Sequence, residues 1–209
     1  MKILVVGPHP DDLEYGCGGT LLKLAAKNHK IHLLVMTSGE MGGDPGIRKA
    51  EQQKVARYLG AELYWGKFSD TDIPLNKTLI DSIEKFIFNI NPDITFVPSF
   101  DDTHQDHRKV SQATTTATRY LKNVLFYEVP TTTSFAPTIF QDISDVVNQK
   151  LKLLEMHTSQ VSRTNIAGMS IMDFAKAASI FRGFQNRCQY AEGFVPMRMS
   201  LRLVEACDL

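Results

Sequence analysis

The chain has little cysteine, a single tryptophan and no surplus of either charge. Cys17, Cys188 and Cys207 are odd in number and widely scattered, so neither a disulfide framework nor a cysteine-only zinc site fits them. Basic and acidic residues number 23 each, for a net charge of zero. That balance lacks the clustered cations on which nucleic-acid and polybasic membrane binding depend. Long apolar runs are missing too. The opening MKILVVG stops at Pro8, short of the roughly 7–15 apolar residues and cleavage site of a secretory signal, and no segment nears the roughly 18 residues of a membrane span. What is present is core material: 43% of the 209 residues are hydrophobic and 22% charged, which excludes disorder. These absences predict a soluble, reduced, cytoplasmic protein with no nucleic-acid partner and no stable membrane association.

The apolar pattern alternates strand and helix. Residues 3–7, 31–37, 63–65, 94–97 and 124–127 are short apolar runs, the mark of strands buried on both faces. Between them, residues 18–28, 47–59, 75–90 and 106–121 carry helical stripes, with Gly60 and Asn91-Pro92 as stops. Beyond residue 128 the pattern is less regular, with helices expected at 145–157 and 172–187 and a last strand at 197–203. This order predicts a single α/β domain over residues 1–209: a mostly parallel sheet covered on both faces in residues 1–128, and a C-terminal elaboration in 129–209.

Two histidine–aspartate clusters fall just after strands. Gly7-Pro8-His9-Pro10-Asp11-Asp12 follows the first, and Asp101-Asp102-Thr103-His104-Gln105-Asp106-His107 follows the run at 94–97. An open parallel sheet binds ligands outside its strand carboxyl ends, where the strand order reverses. With a Rossmann-type order the two clusters face each other across one crevice. His9 and Asp12 with His104 or His107 make a three-ligand set for Zn²⁺ that leaves a position for water. Asp11 is then left beside that water as a candidate general base. Spacing alone does not choose between His104 and His107.

The structural alternatives are plain. Each cluster alone could be loop, cap and packing residues; both together at strand ends favour a site. His29 and His32 have no acidic companions nearby and read as surface or packing residues. Gly16-Cys17-Gly18-Gly19 is no phosphate loop, since His-Pro-Asp-Asp occupies the strand end; its glycines read as a close turn and close packing, and Cys17 as a small buried residue. Arg48 is assigned to substrate hydroxyls, with an i,i+3 pair to Glu51 as the equal alternative. Tyr64, Trp65 and Phe68 read as core in preference to a sugar-stacking platform.

The stretch His9-Pro10-Asp11-Asp12-x-Glu14-x-Gly16-Cys17-Gly18-Gly19-Thr20 closely resembles the signature of the LmbE-like, or PIG-L, N-acetylglucosaminyl deacetylases. The resemblance continues through Thr37-Ser38-Gly39-Glu40, Arg48-x-x-Glu51 and His104-Gln105-Asp106-His107. Tyr127-Glu128-Val129-Pro130, His157-Thr158-Ser159-Gln160, Arg182-Gly183 and Tyr190-Ala191-Glu192-Gly193-Phe194 extend it towards the end of the chain. It implies a Rossmann-like three-layer sandwich, with Zn²⁺ on His9, Asp12 and His107 and other divalent ions such as Fe²⁺ left open. It further implies Asp11 as general base, His104 as a protonated stabiliser of the oxyanion, and Asp106 as the group that tunes His104. The implied reaction is hydrolysis of an acetamide on a small N-acetyl amino sugar, and a homo-oligomer is compatible with it. A non-catalytic sugar-binding protein and a zinc amidase for non-sugar amides are the rivals. Two departures stand out. Gln105 replaces the family's more frequent proline, at a position that is no ligand. Glu14 stands one place later than in the commonest form, so the resemblance carries no role onto it.

Overall fold

The computed structural model describes residues 1–201. Its elements run β1 (Lys2–Gly7), α1 (Asp12–Ala26), β2 (Lys30–Val35), α2 (Pro45–Leu59), β3 (Glu62–Trp65), α3 (Lys77–Ile90), β4 (Ile94–Pro98), α4 (Gln105–Ala117), β5 (Val124–Tyr127), β6 (Ile139–Asp142), α5 (Val147–Glu155), α6 (Ile171–Asn186) and β7 (Ala191–Arg198). Among the described residues the strands form one sheet in the order β3-β2-β1-β4-β5-β7-β6. β1 to β5 are parallel, and β7 runs antiparallel to both β5 and β6. β1 and β4 are neighbours at the reversal of strand order, as the two-cluster reading requires.

Strand side chains alternate between two cores, which is why the parallel strands are apolar throughout. Ile3, Val5, Leu33 and Phe96 pack under α1 and α5. Leu4, Val6 and Leu34 pack against Ile83 of α3 and Val110 of α4. The result is the three-layer α/β sandwich read from the alternation. No helix among the described residues is long and apolar enough to cross a membrane.

Several boundaries differ from the sequence expectation. The first helix begins at Asp12 rather than residue 18, so the glycines lie inside α1 and not in a turn. Their packing role holds: a Cβ on Gly16 would sit 2.1 Å from the Tyr127 ring. α4 ends at Ala117 rather than residue 121. Its Thr114 and Thr118 hydroxyls bond back to the carbonyls of Val110 and Thr114, and such threonines compete with a continuing helix. The last strand lies earlier than 197–203, and the end of that expected span lies outside the described residues, as does Cys207. β6 has no apolar alternation and was not anticipated from the sequence.

The C-terminal elaboration reaches back into the core. Glu192 of β7 accepts hydrogen bonds from Gly19 N, Thr20 N and Thr20 Oγ1. Lys150 of α5 donates to the Tyr15 carbonyl and to Glu192, both at 2.6 Å. This buried ion pair has its remaining valences filled, which is the condition under which burying charge is tolerated. It ties α5 and β7 to the helix that carries the first histidine–aspartate cluster.

Candidate active site

β1 ends at Gly7, and the chain turns through Pro8, His9, Pro10 and Asp11 into α1. The His9 amide donates to Asp12 Oδ2 at 2.9 Å, which closes the turn on itself. From β4, residues 99–104 lead into α4 and present His107 on its first turns. Three lone-pair atoms meet there. His9 Nδ1 lies 3.3 Å from Asp12 Oδ2, His107 Nε2 lies 3.3 Å from His9 Nδ1, and His107 Nε2 lies 3.4 Å from Asp12 Oδ2. A tetrahedral zinc site with ligand bonds of about 2.0–2.1 Å has ligand-to-ligand edges of about 3.3–3.4 Å. The three atoms therefore already span one face of such a site. His9, Asp12 and His107 are all buried.

The other nitrogen of each imidazole is held by carboxylates. His107 Nδ1 lies 3.0 Å from Asp102 Oδ2, and His9 Nε2 lies 2.9 Å from Asp70 Oδ1 and 3.3 Å from Asp106 Oδ2. A proton on those outer nitrogens leaves the inner lone pairs free for a cation, the arrangement found around ligating histidines. Electrostatics agree. Against the cost of burial, Asp12 and Asp102 carry His107 up to about 9, and Asp106, Asp12 and Asp70 hold His9 well above the usual imidazole range. Asp12, although burial opposes it, is held below the usual carboxylate range by the two histidines. The pocket demands positive charge at its centre.

Asp11 faces a different environment. Its φ of 92° lies in the left-handed region, a strained state for a non-glycine residue that persists only when its surroundings over-determine it. They do so here. Arg48 Nη2 donates to the Pro10 carbonyl at 2.8 Å and to Asp11 Oδ2 at 3.3 Å, while Nη1 donates to the Gly39 carbonyl at 2.7 Å. Gly39 is required at that contact, because a Cβ there would lie 2.0 Å from Arg48 Nη1. Gln52 accepts from the Asp11 amide at 3.3 Å and donates to Glu14 at 2.8 Å; the other Glu14 oxygen lies 3.2 Å from His157 Nε2. Burial pushes the Asp11 carboxyl up to about 6; Arg48 opposes the shift and Asp12 adds to it.

Of the two sequence expectations for Arg48, the i,i+3 pair with Glu51 does not form: Arg48 is 5% exposed, its Nη1 and Nη2 hold the turn, and Glu51 bonds the Ser159 amide and hydroxyl instead. The pair lies on a buried side of α2, where each side chain meets a different loop.

His104 lies beside the cage, its ring centroid 4.8 Å from those of His9 and His107. It is the N-cap of α4, and its Nδ1 accepts the Asp106 amide at 3.2 Å. That bond leaves the proton on Nε2. Burial and the neighbouring His9 and His107 hold His104 below its ordinary value, against Asp106 and Asp12, which raise it. This direction runs against the protonated His104 that the resemblance implies. Asp106 acts on His104 through charge, which favours the protonated ring, while its Oδ2 serves His9 Nε2 and the Thr71 amide, the latter at 2.7 Å.

Asp70 and Gln52 were not foreseen as contributors, and Asp102, Glu14 and His157 stood in the quoted clusters and motifs without an assigned role. His157 stood in the quoted His-Thr-Ser-Gln stretch, and nothing in the sequence paired it with Glu14. Outside the site, His29 bonds the N-terminal amine and His32 stacks on Tyr64, while Cys17 is fully buried, as read. Asp101 bonds Thr133 on the surface.

Comparison with known proteins follows the same lines. The model of the GlcNAc-PI de-N-acetylase family, PIG-L, matches residues 4–118. An uncharacterised deacetylase of Escherichia coli, YaiS, is 36% identical over 167 residues, covering 75% of this chain and 90% of that protein. The crystallised N,N'-diacetylchitobiose deacetylase of Pyrococcus horikoshii superposes with a TM-score of 0.84 at 26% identity, over 94% of this chain and 83% of that one. GalB, a 4-carboxy-2-hydroxymuconate hydratase of Pseudomonas putida, shares the fold at a TM-score of 0.81 and 19% identity, over 95% and 97% of the two chains. The fold alone therefore does not select the reaction. The chain belongs to the PIG-L, or LmbE-like, family.

Proposed function

We propose that the protein is a zinc-dependent hydrolase that removes the acetyl group from an N-acetylated sugar. The reading is supported by the mutual 3.3–3.4 Å spacing of His9 Nδ1, Asp12 Oδ2 and His107 Nε2, and by membership of a family whose relatives include sugar deacetylases. His9, Asp12 and His107 would hold the ion. A divalent cation bound there lowers the pKa of a water ligand toward about 7 and polarises a carbonyl. The remaining steps belong to the chain.

Asp11, poised at about 6, takes the proton of the attacking water, since a base works best with its pKa near the operating pH. Arg48 and Gln52 hold Asp11 in a conformation it would not keep alone. His104 donates its Nε2–H to the developing oxyanion as a neutral imidazole. Removing one such donor costs about 10²–10³ in rate. Asp11, now protonated, returns its proton to the departing amine, and acetate and a free amino sugar leave.

The test is metal analysis combined with acetate release from a panel of N-acetylated sugars. The proposal expects zinc or another divalent ion near one per chain, loss of turnover on chelation and recovery on adding Zn²⁺. Turnover that persists in the stripped protein would overturn it. Sugar binding without acetate release would favour the non-catalytic rival, and turnover of acyclic acetamides alone the amidase.

A further inference from the structure

Resting on the reading of Asp11 as the base of a deacetylase, we propose that Glu14 and His157 are positioning residues for it. They fix the Gln52 side chain, and Gln52 with Arg48 fixes the peptide unit from which Asp11 hangs. His157 follows the end of α5 at Glu155, and the reaction steps leave it unused.

Arg48, Glu51 and Gln52 stand at i, i+3 and i+4 of α2, and all three are buried. One face of that helix thus carries polar groups where apolar ones are usual. Two of them grip a single peptide. Arg48 Nη2 donates to the Pro10 carbonyl at 2.8 Å, and Gln52 Oε1 accepts the Asp11 amide at 3.3 Å. That carbonyl and that N–H are the two ends of one planar unit. A plane held at both ends resists rotation about the Asp11 N–Cα bond, where the left-handed φ of 92° is otherwise costly.

Gln52 is aimed from behind. Its Nε2 donates to Glu14 Oε1 at 2.8 Å, which leaves its own Oε1 for the Asp11 amide. With the group reversed, an NH₂ would face an N–H and an oxygen would face a carboxylate. The other Glu14 oxygen lies 3.2 Å from His157 Nε2. Against the cost of burial, Glu14, Asp11 and Glu51 hold His157 above the usual imidazole range, which keeps Nε2 a donor. Gln52, Glu14 and His157 are buried, and among the described residues His157 Nδ1 has no hydrogen-bond partner. An imidazole buried with one nitrogen unpaired is a poor choice for stability alone; what it provides is the tie to Glu14. Ser159 bonds both oxygens of Glu51 through its amide and hydroxyl, so the same stretch after α5 also grips α2 beside Gln52.

The test is a cycle of variants read by kcat, KM, bound metal and amide hydrogen exchange. His157→Leu removes the donor to Glu14, and His157→Gln puts a side-chain NH₂ where Nε2 stands. His157→Leu should lower kcat by about 10–100-fold, the range found when a partner that orients a site residue is removed. KM and metal content should not change, and His157→Gln should restore most of the rate. Gln52→Leu should lower kcat at least as far, and the double variant Gln52→Leu/His157→Leu no further than Gln52→Leu alone, since both act along one path. Losses that multiply, loss of metal, or a kcat indifferent to His157→Leu would overturn the proposal. If His157→Leu does not fold, His157→Gln and His157→Asn decide: only the longer side chain reaches Glu14, so equal kcat in the two overturns it. Exchange of the Asp11 amide, followed by NMR, separates the premises. It should quicken in His157→Leu and in Gln52→Leu whether or not acetate is released. Quickened exchange in a protein that releases no acetate from any N-acetylated sugar keeps the positioning and overturns the deacetylase reading. Acetate release with unaltered Asp11 exchange does the reverse.

Discussion

Asp11 and Asp12 are adjacent in the chain, identical in chemistry and opposite in environment. Asp12 points between two imidazoles, which hold it ionised despite its burial. The Asp11 carboxylate meets the Arg48 guanidinium instead, and burial raises it to about 6. One peptide bond divides the proposed cation ligand from the proposed base. Two like residues with separated pKa values are the general sign of separate acid–base roles.

The comparison can be broken from either side. The largest effect belongs to the cage: His107→Ala removes one of three ligands, and both bound metal and acetate release should be lost together. On the base side, kcat/KM should rise with pH through about 6 or below. The carboxylate form of Asp11 is the active one, it is lost as pH falls through its pKa, and a cation nearby draws that pKa downward. His104→Ala should lower kcat by about 10²–10³ and leave that acid limb in place. Disappearance of a limb would restore a charged His104. A smaller effect is expected at Asp102→Asn, which loosens the grip on His107 Nδ1. Metal affinity should fall about 10–100-fold with the fold intact, read by competition with a chelator.

The sheet and both clusters were legible because their signals are local. Continuous apolar runs mark parallel strands, and His9 and Asp12 lie within one turn, as do His104 and His107. The supports were not legible, because each is a lone residue in sequence. Gln52 lies 38 residues from Glu14, and His157 lies 143 from it; Gln52 has no periodic or motif signal, the His-Thr-Ser-Gln stretch gives His157 no partner, and only the packing of α5 and α2 against α1 brings them together. Asp70 sits in a loop after β3 and reaches His9 through space. The charge on His104 was unreadable for a different reason. It turns on burial and on the charges of His9, His107 and Asp106 around it, which only the fold brings together. Arg48 was visible as important, but its target was hidden until the Gly39 and Pro10 carbonyls were seen to converge on it.

The most direct measurement is a paired one on the two aspartates: elemental metal content and acetate-release rate for Asp11→Asn and Asp12→Asn, purified identically. The division of roles predicts that Asp11→Asn keeps its metal and loses about 10²–10⁴ in kcat, while Asp12→Asn loses the metal and with it the turnover. Metal loss in Asp11→Asn, or near-normal turnover in it with metal bound, would contradict the assignment.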